Sequence, residues 1–184
     1  LHVYEWGLRG DRPWFTMELI EGRDLRAFLT ELKGASSEER AKAGLDILKQ
    51  VAHALAYIHE RGLIHRDLSP GNIMLRHDNT VKLMDFGVVK ELGTDMTVAG
   101  EVIGTVAFMA PEQITGEDID ARADLYALGV ILYLLLTGKR PFSAHTLHGY
   151  MEKHLHATPK PLSEHDPLVP SDLEQTCLRL LAKK

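Results

Sequence analysis

The 184-residue chain carries one cysteine, Cys177. That excludes an internal disulfide framework and suits a reducing compartment, so a cytoplasmic location is expected. It also lacks an excess of positive charge: 21 Lys and Arg stand against 26 Asp and Glu, a formal net charge of -5. Without a basic stripe, nucleic acid is not expected as the main partner. Long apolar runs are missing too. The longest, from Leu125 to Leu136, is 12 residues interrupted by Gly129. A membrane-spanning helix needs about 20, so this run predicts a buried core helix, and no membrane contact is expected from the segment. The first residues lack the charged-then-apolar order of a signal peptide. Repeats and low-complexity stretches are absent. What remains is an ordinary globular balance, 45% apolar and 26% charged, of a size for one domain or a large piece of one. Both ends read as cut. Residue 1 is not Met, and "LEQTCLRLLAKK" is an amphipathic helix with no stop signal behind it, so a longer parent chain is expected.

Residues 1–6 and 13–20 alternate as two strands joined by the turn-like "GLRGDR". The stretch 21–32, "EGRDLRAFLTEL", predicts a short helix. The clearest helix lies within 36–62. Ser36 or Ser37 can cap it, and Glu38 and Glu39 in its first turn suit the positive end of the dipole. Leu45, Leu48, Val51, Ala52, Leu55 and Ile58 recur at helical spacing as one buried face, and Gly62 can end the helix in a left-handed conformation. "IML" and "VKLM" are short strands around the turn "HDNT". Gly87 to Met109 shows no sustained periodicity, which predicts a long loop of the kind that carries function or disorder. A buried helix near 122–137, the break "GKRPF", a helix in 145–156 and a Pro-spaced connector over 158–170 follow. His145, His148, His154 and His156 fall on that later helix at mixed spacing, without a carboxylate or cysteine complement. They are expected on an exposed face rather than on a metal.

The chemistry concentrates in "LIHRDLSPGNIML", residues 63–75. Asp67 precedes a strand, Asn72 follows five residues later, and Asp85 ends the next strand. A hairpin would fold Asp85 back toward Asn72. Two oxygen ligands are what Mg²⁺ accepts from a protein when waters and phosphate oxygens complete its shell. Asp67 is then free to orient a hydroxyl and accept its proton. Gly87, after Asp85, supplies backbone freedom.

"HRDLSPGN", "DFG" and "APE" (Ala110 to Glu112), in this order and spacing, resemble the motif set of protein kinases. "ARADLYALGVILYLLLTGKRPF" resembles the family's central buried helix, and the likeness runs along essentially the whole chain. Pro70 and "GTVAFMAPE" look most like the bacterial branch of Ser/Thr kinases, although Phe108 replaces a common tyrosine. The resemblance implies an α+β, protein kinase-like fold. Residues 1–20 would be the end of the small lobe and the hinge, and 21–184 the helical large lobe, cut before its last helix. It implies ATP and Mg²⁺ as cofactors and proteins bearing Ser or Thr as substrates. By position it implies Asp67 as base and Asn72 and Asp85 on the metal, with Thr105 bonded near Asp67. Met17 would be the gatekeeper, Glu18 to Ile20 the hinge on the adenine edge, Asp24 the ribose contact and Met74 the adenine floor, backed by Leu25, Ile131 and Leu135. His65 and Phe86 would stack in an internal apolar column. Asp124 would hold backbone groups of the catalytic loop. Arg66 would pair with a phosphorylated activation-loop residue, Thr97 first and Thr94 second.

Departures matter as much. No Gly-x-Gly occurs in the sequence, and no lysine of the family's V-A-I-K type is present, so the remaining ATP clamp is expected in the rest of the small lobe, upstream in the same chain. The 184 residues alone are expected to be inactive. Ser69 stands where the family commonly has a lysine that steadies the transferred phosphate. With Asp67 and Asp85 retained, Ser69 reads as a variant rather than a lesion. Two other functions compete: a non-catalytic kinase-like scaffold and a small-molecule phosphotransferase of related fold. The "APE" segment and long loop disfavour the second.

Overall fold

The computed structural model describes residues 3–85, 104 and 106–183. The alternating N-terminal segment forms an antiparallel hairpin, β1 (Val3–Arg9) with β2 (Arg12–Met17), and Val3 pairs with Met17. Gly10, at φ 64°, makes its turn. Tyr4, Trp6, Leu8 and Phe15 stay exposed on this hairpin.

The stretch 21–32 is not helix throughout. Gly22–Asp24 is a strand, β3, and α1 begins only at Leu25–Glu31. Asp24 explains the break. Its backbone is extended and its carboxylate accepts the Ala27 N–H at 2.8 Å, so it caps the helix instead of joining it. Only glycine fits at position 22 of this strand, because a side chain there would collide with the Leu75 carbonyl of the neighbouring strand.

A capping box opens α2 (Ser37–His59). The Ser36 hydroxyl accepts the Glu39 N–H at 3.3 Å, and the Glu39 carboxylate accepts the Ser36 N–H at 2.8 Å. Its buried seam runs through Gly44, Ile47, Val51, Leu55 and Ile58, whereas Leu45 and Leu48 are only half-buried. Gly44 sets that rotation, since a Cβ there would lie 3.3 Å from Leu135 Cβ of the central helix. Gly62 is left-handed at φ 72°, three residues past the last helical residue.

Strands β4 (Ile73–Arg76) and β5 (Val81–Leu83) form the expected hairpin, with Asn79 left-handed at φ 60° in its turn. β4 is the middle of a three-stranded antiparallel sheet ordered β3-β4-β5, in which Asp24 pairs with Met74 and Ile73 with Leu83. The remaining helices are α3 (Pro111–Thr115), α4 (Arg122–Thr137), α5 (Leu147–His156) and α6 (Ser171–Leu180).

Helix α4 is the core. Twelve of its sixteen residues are buried, as an all-round apolar helix requires. It packs between α2 and α6, and Gly129 permits the second contact: a Cβ there would sit 2.7 Å from Leu180 Cβ. Cys177 faces it, with its thiol on the Gly129 carbonyl at 3.4 Å. Burial pushes that thiol pKa up to about 12, which makes it a packing residue. None of the helices among the described residues is long and apolar enough to cross a membrane.

One expectation for the histidines is corrected. His154 is fully buried, not on an exposed face. Its Nδ1 lies 2.9 Å from the Tyr126 hydroxyl, and its ring packs edge-on to Phe142. Helix α5 turns this position inward to fill the space beside α4, which the mixed spacing did not reveal. No group of three or more His, Cys, Asp or Glu among the described residues is placed to hold a metal.

Candidate active site

Asp67, Ser69, Asn72 and Asp85 line one cleft of about 1020 Å³. The hairpin brings them together. Ile73 pairs with Leu83, and the Met84 N–H donates to the Asn72 carbonyl at 2.8 Å, which sets Asp85 beside the loop. The Asn72 side-chain amide donates to both the Asp67 carbonyl (2.7 Å) and the Asp67 carboxylate (3.1 Å). Its own oxygen is thereby turned away from Asp67.

The loop is held from beneath. Asp124, in the first turn of α4, is 1% exposed. Its carboxylate accepts the His65 N–H at 2.8 Å and the Arg66 N–H at 2.9 Å, and His59 Nε2 lies 2.7 Å from one of its oxygens. His65 Nε2 lies 3.0 Å from the Met84 carbonyl, which ties the loop to the strand carrying Asp85. The Gln113 amide donates to the Arg66 carbonyl at 2.6 Å, and its oxygen accepts the Ala110 N–H at 3.0 Å. These bonds over-determine a strained backbone. Arg66 stands at φ 65° and Asp85 at φ 48°, both left-handed without being glycine.

Mg²⁺ is tested by the donor set. It needs few protein ligands, all oxygen, and takes the rest from water and phosphate. Asn72 offers an amide oxygen and Asp85 an exposed carboxylate on the same cleft, so the residues present fit the ion.

The other candidates are placed as follows. Met17 ends β2 and is half-buried; Glu18 to Ile20 form an irregular link, with the Glu18 carboxylate 3.2 Å from the Lys82 ammonium. Met74 sits on β4 opposite Asp24, and Leu25, Ile131 and Leu135 are each at most 1% exposed. Asp24 is engaged as the α1 cap and accepts from Arg26 Nε at 2.8 Å. Burial opposes its charge, but the Ala27 and Arg26 contacts outweigh this and lower its pKa. Ser69 precedes a 3₁₀ turn over Pro70–Asn72 and makes no side-chain cap bond there. Phe86, Gly87, Thr94, Thr97 and Thr105 lie outside the described residues.

Three contributors escaped the sequence reading. His59 and Gln113 act on the loop from α2 and α3, far along the chain. Arg26 lies on the loop itself, its guanidinium carbon 3.2 Å from where a Gly71 Cβ would be. The helical register of His59, one residue beyond Ile58, was the only hint available.

A small antiparallel sheet on a helical body, with a loop of Asp67 and Asn72 clamped by a buried helix carboxylate, defines the protein kinase-like class of fold. The chain belongs to the protein kinase domain family, whose model matches residues 1–184. Serine/threonine-protein kinase Pkn1 of Myxococcus xanthus is 42% identical over 188 residues, covering 99% of this chain and 26% of that protein. PknB of Mycolicibacterium smegmatis is 37% identical over 95% of this chain and 28% of its own length; PrkC of Bacillus subtilis is 34% identical over 98% and 28%. The chain thus spans little more than a quarter of the curated relatives it matches. The solved PknI kinase domain of Mycobacterium tuberculosis superposes at a TM-score of 0.71 with 28% identity, over 99% of this chain and 62% of that one.

Proposed function

We propose that this chain is the larger part of the catalytic core of a Ser/Thr protein kinase, transferring the ATP γ-phosphoryl group to protein hydroxyls. The observation that carries the reading is the joint placement of Asp67, Asn72 and Asp85 on one cleft, with Asn72 bonded to Asp67. Asp67 orients the substrate hydroxyl and takes its proton as the oxygen bonds to phosphorus and the bond to the ADP oxygen breaks. Asn72 and Asp85 would hold Mg²⁺, which would supply charge neutralisation on the phosphates. Asp124, His59 and Gln113 keep the loop in its strained geometry. Asp24 and Met74, on paired strand positions, with Met17 and Glu18 to Ile20 would meet the nucleotide beside the residues that line the cleft. Arg66 pairs with phosphorylated Thr97 or Thr94, and Thr105 bonds near Asp67. The exposed aromatic face of the β1–β2 hairpin supports reading residues 1–20 as small-lobe end and hinge, covered by the rest of that lobe.

The test is Mg²⁺-dependent phosphate transfer from ATP by the full-length protein. Asp67→Asn is expected to lower turnover by about 10²- to 10⁴-fold. Unchanged turnover would remove Asp67 as the base. Absence of transfer by the unaltered protein, with nucleotide still bound, would favour the non-catalytic scaffold reading. Thr97→Ala is expected to lower activity, and an unchanged rate would discard Thr97 as the switch.

A further inference from the structure

The cleft around Asp67 has an uneven charge. Six charged side chains line it among the described residues. Two are carboxylates, Asp67 and Asp85, both taken up by the proposed chemistry. The other four are cations: Arg26, Lys33, Arg40 and Arg140. Arg40 is committed to Asp166, 3.2 Å away. Arg26 is paired with Asp24 at 2.6 Å, yet it lies on Gly71 in the Asp67–Asn72 loop. Lys33 and Arg140 have no carboxylate within ion-pair distance among the described residues. Arg140 is nevertheless positioned: it donates to the Tyr150 hydroxyl at 3.2 Å, and its guanidinium carbon stands 5.8 Å from the centre of the Phe108 ring. Two cations without a carboxylate partner among the described residues thus reach the cleft from separate elements, the turn after α1 and the segment after α4.

We propose that this cleft selects Ser/Thr peptides with acidic residues close to the phosphoacceptor, recognised by Lys33 and Arg140 with Arg26 in support. The proposal rests on the kinase reading above. Lys33 and Arg140 line the same cleft as Asp67, so the acidic positions they recognise lie close to the Ser or Thr that Asp67 serves. An arginine already seated on an aromatic ring loses little freedom on meeting a carboxylate, and it can do so through two parallel bonds. The sequence supplies a matching peptide. Asp95 stands two residues before Thr97, and Glu91 three before Thr94. A second copy of this chain would present a substrate of this charge.

The competing use of the cations is to steady nucleotide phosphate in place of the lysine that Ser69 replaces. Two matched peptides separate these uses, identical except for Glu or Lys at the three positions on either side of one Thr. With the full-length protein, kcat/KM for the Glu peptide is expected to exceed that for the Lys peptide by about tenfold at low salt, and to fall toward equality as salt screens the contact. Lys33→Glu and Arg140→Glu are each expected to cut the ratio about three- to tenfold through KM for the peptide, and the pair to invert it. Lys33→Gln and Arg140→Gln provide milder variants should reversal disturb folding. A ratio near one in the unaltered protein, or a ratio unmoved by the variants while KM for ATP rises, overturns the proposal. Transfer to neither peptide would instead overturn the kinase reading on which it rests.

Discussion

Asp124 is one carboxylate serving two backbone N–H groups and one imidazole. In Asp124→Ala those buried donors lose their acceptor, and a buried unsatisfied donor costs about 1–3 kcal/mol. Urea unfolding is expected to show a loss of about 3 kcal/mol or more, because two donors are orphaned together and the left-handed Arg66 is released. Asp124→Asn keeps one oxygen and is expected to lose less. Ser69 carries the opposite kind of question. Its hydroxyl makes no cap bond to the turn that follows. Ser69→Lys in the full-length protein is expected to raise turnover if a cation there still matters to the transferred phosphate. An unchanged rate would show that the site has adapted to serine. At this scale the site was largely legible: Asp67, Asn72 and Asp85 are linked by spacing of five residues and one hairpin. His59, Gln113 and Arg26 were not, because each reaches the loop from another element.

Elements report a different lesson. Ser36 and Glu39 announced the start of α2, and an apolar run marked α4, because capping and continuous burial are written locally. The boundary at Asp24 and the seam of α2 were misjudged, because both depend on neighbours. Position 22 must be glycine because Leu75 lies against it, and Gly44 is buried because α4 abuts it. Gly129 is the sharpest case. Inside a helix, alanine is favoured over glycine by about 1 kcal/mol, so local propensity alone predicts that Gly129→Ala stabilises. The 2.7 Å approach of Leu180 Cβ reverses this. Overpacking costs about 1–3 kcal/mol, so once the propensity gain is subtracted, thermal unfolding is expected to show a net loss of up to about 2 kcal/mol and a loosened α6. A rise in Tm would show that α6 gives way freely.

For the molecule as a whole, the buried group joining α4, α5 and the C-terminal residues couples stability to pH. The Lys183 ammonium donates to the Tyr126 hydroxyl at 2.7 Å, and that hydroxyl meets His154 Nδ1 at 2.9 Å. Burial, then the nearby Lys183 charge, lowers the His154 pKa from 6.5 to about 4. The unfolded chain therefore binds this proton near pH 6.5, and the native chain only near pH 4. The contribution of neutral His154 is fully present above pH 6.5 and is lost as the pH falls toward 4, an amount on the order of 3 kcal/mol. Denaturant melts between pH 7 and 4 are expected to show that decline, and His154→Asn is expected to flatten it. An equal slope in both proteins would assign the decline to other groups.

The sequence by itself determined the start of α2, the β4–β5 hairpin and the order of chemical groups along the chain, since these follow from caps and turn residues acting within a few positions. It also carried the family, because the motifs stand in order over its whole length. Tertiary structure decided which face of α2 is buried, that His154 turns inward, that Gly129 must stay small, and which cations reach the cleft without a carboxylate partner among the described residues. Those outcomes rest on contacts between residues distant in sequence, where burial, close packing and charge compensation act and local pattern carries no record of them.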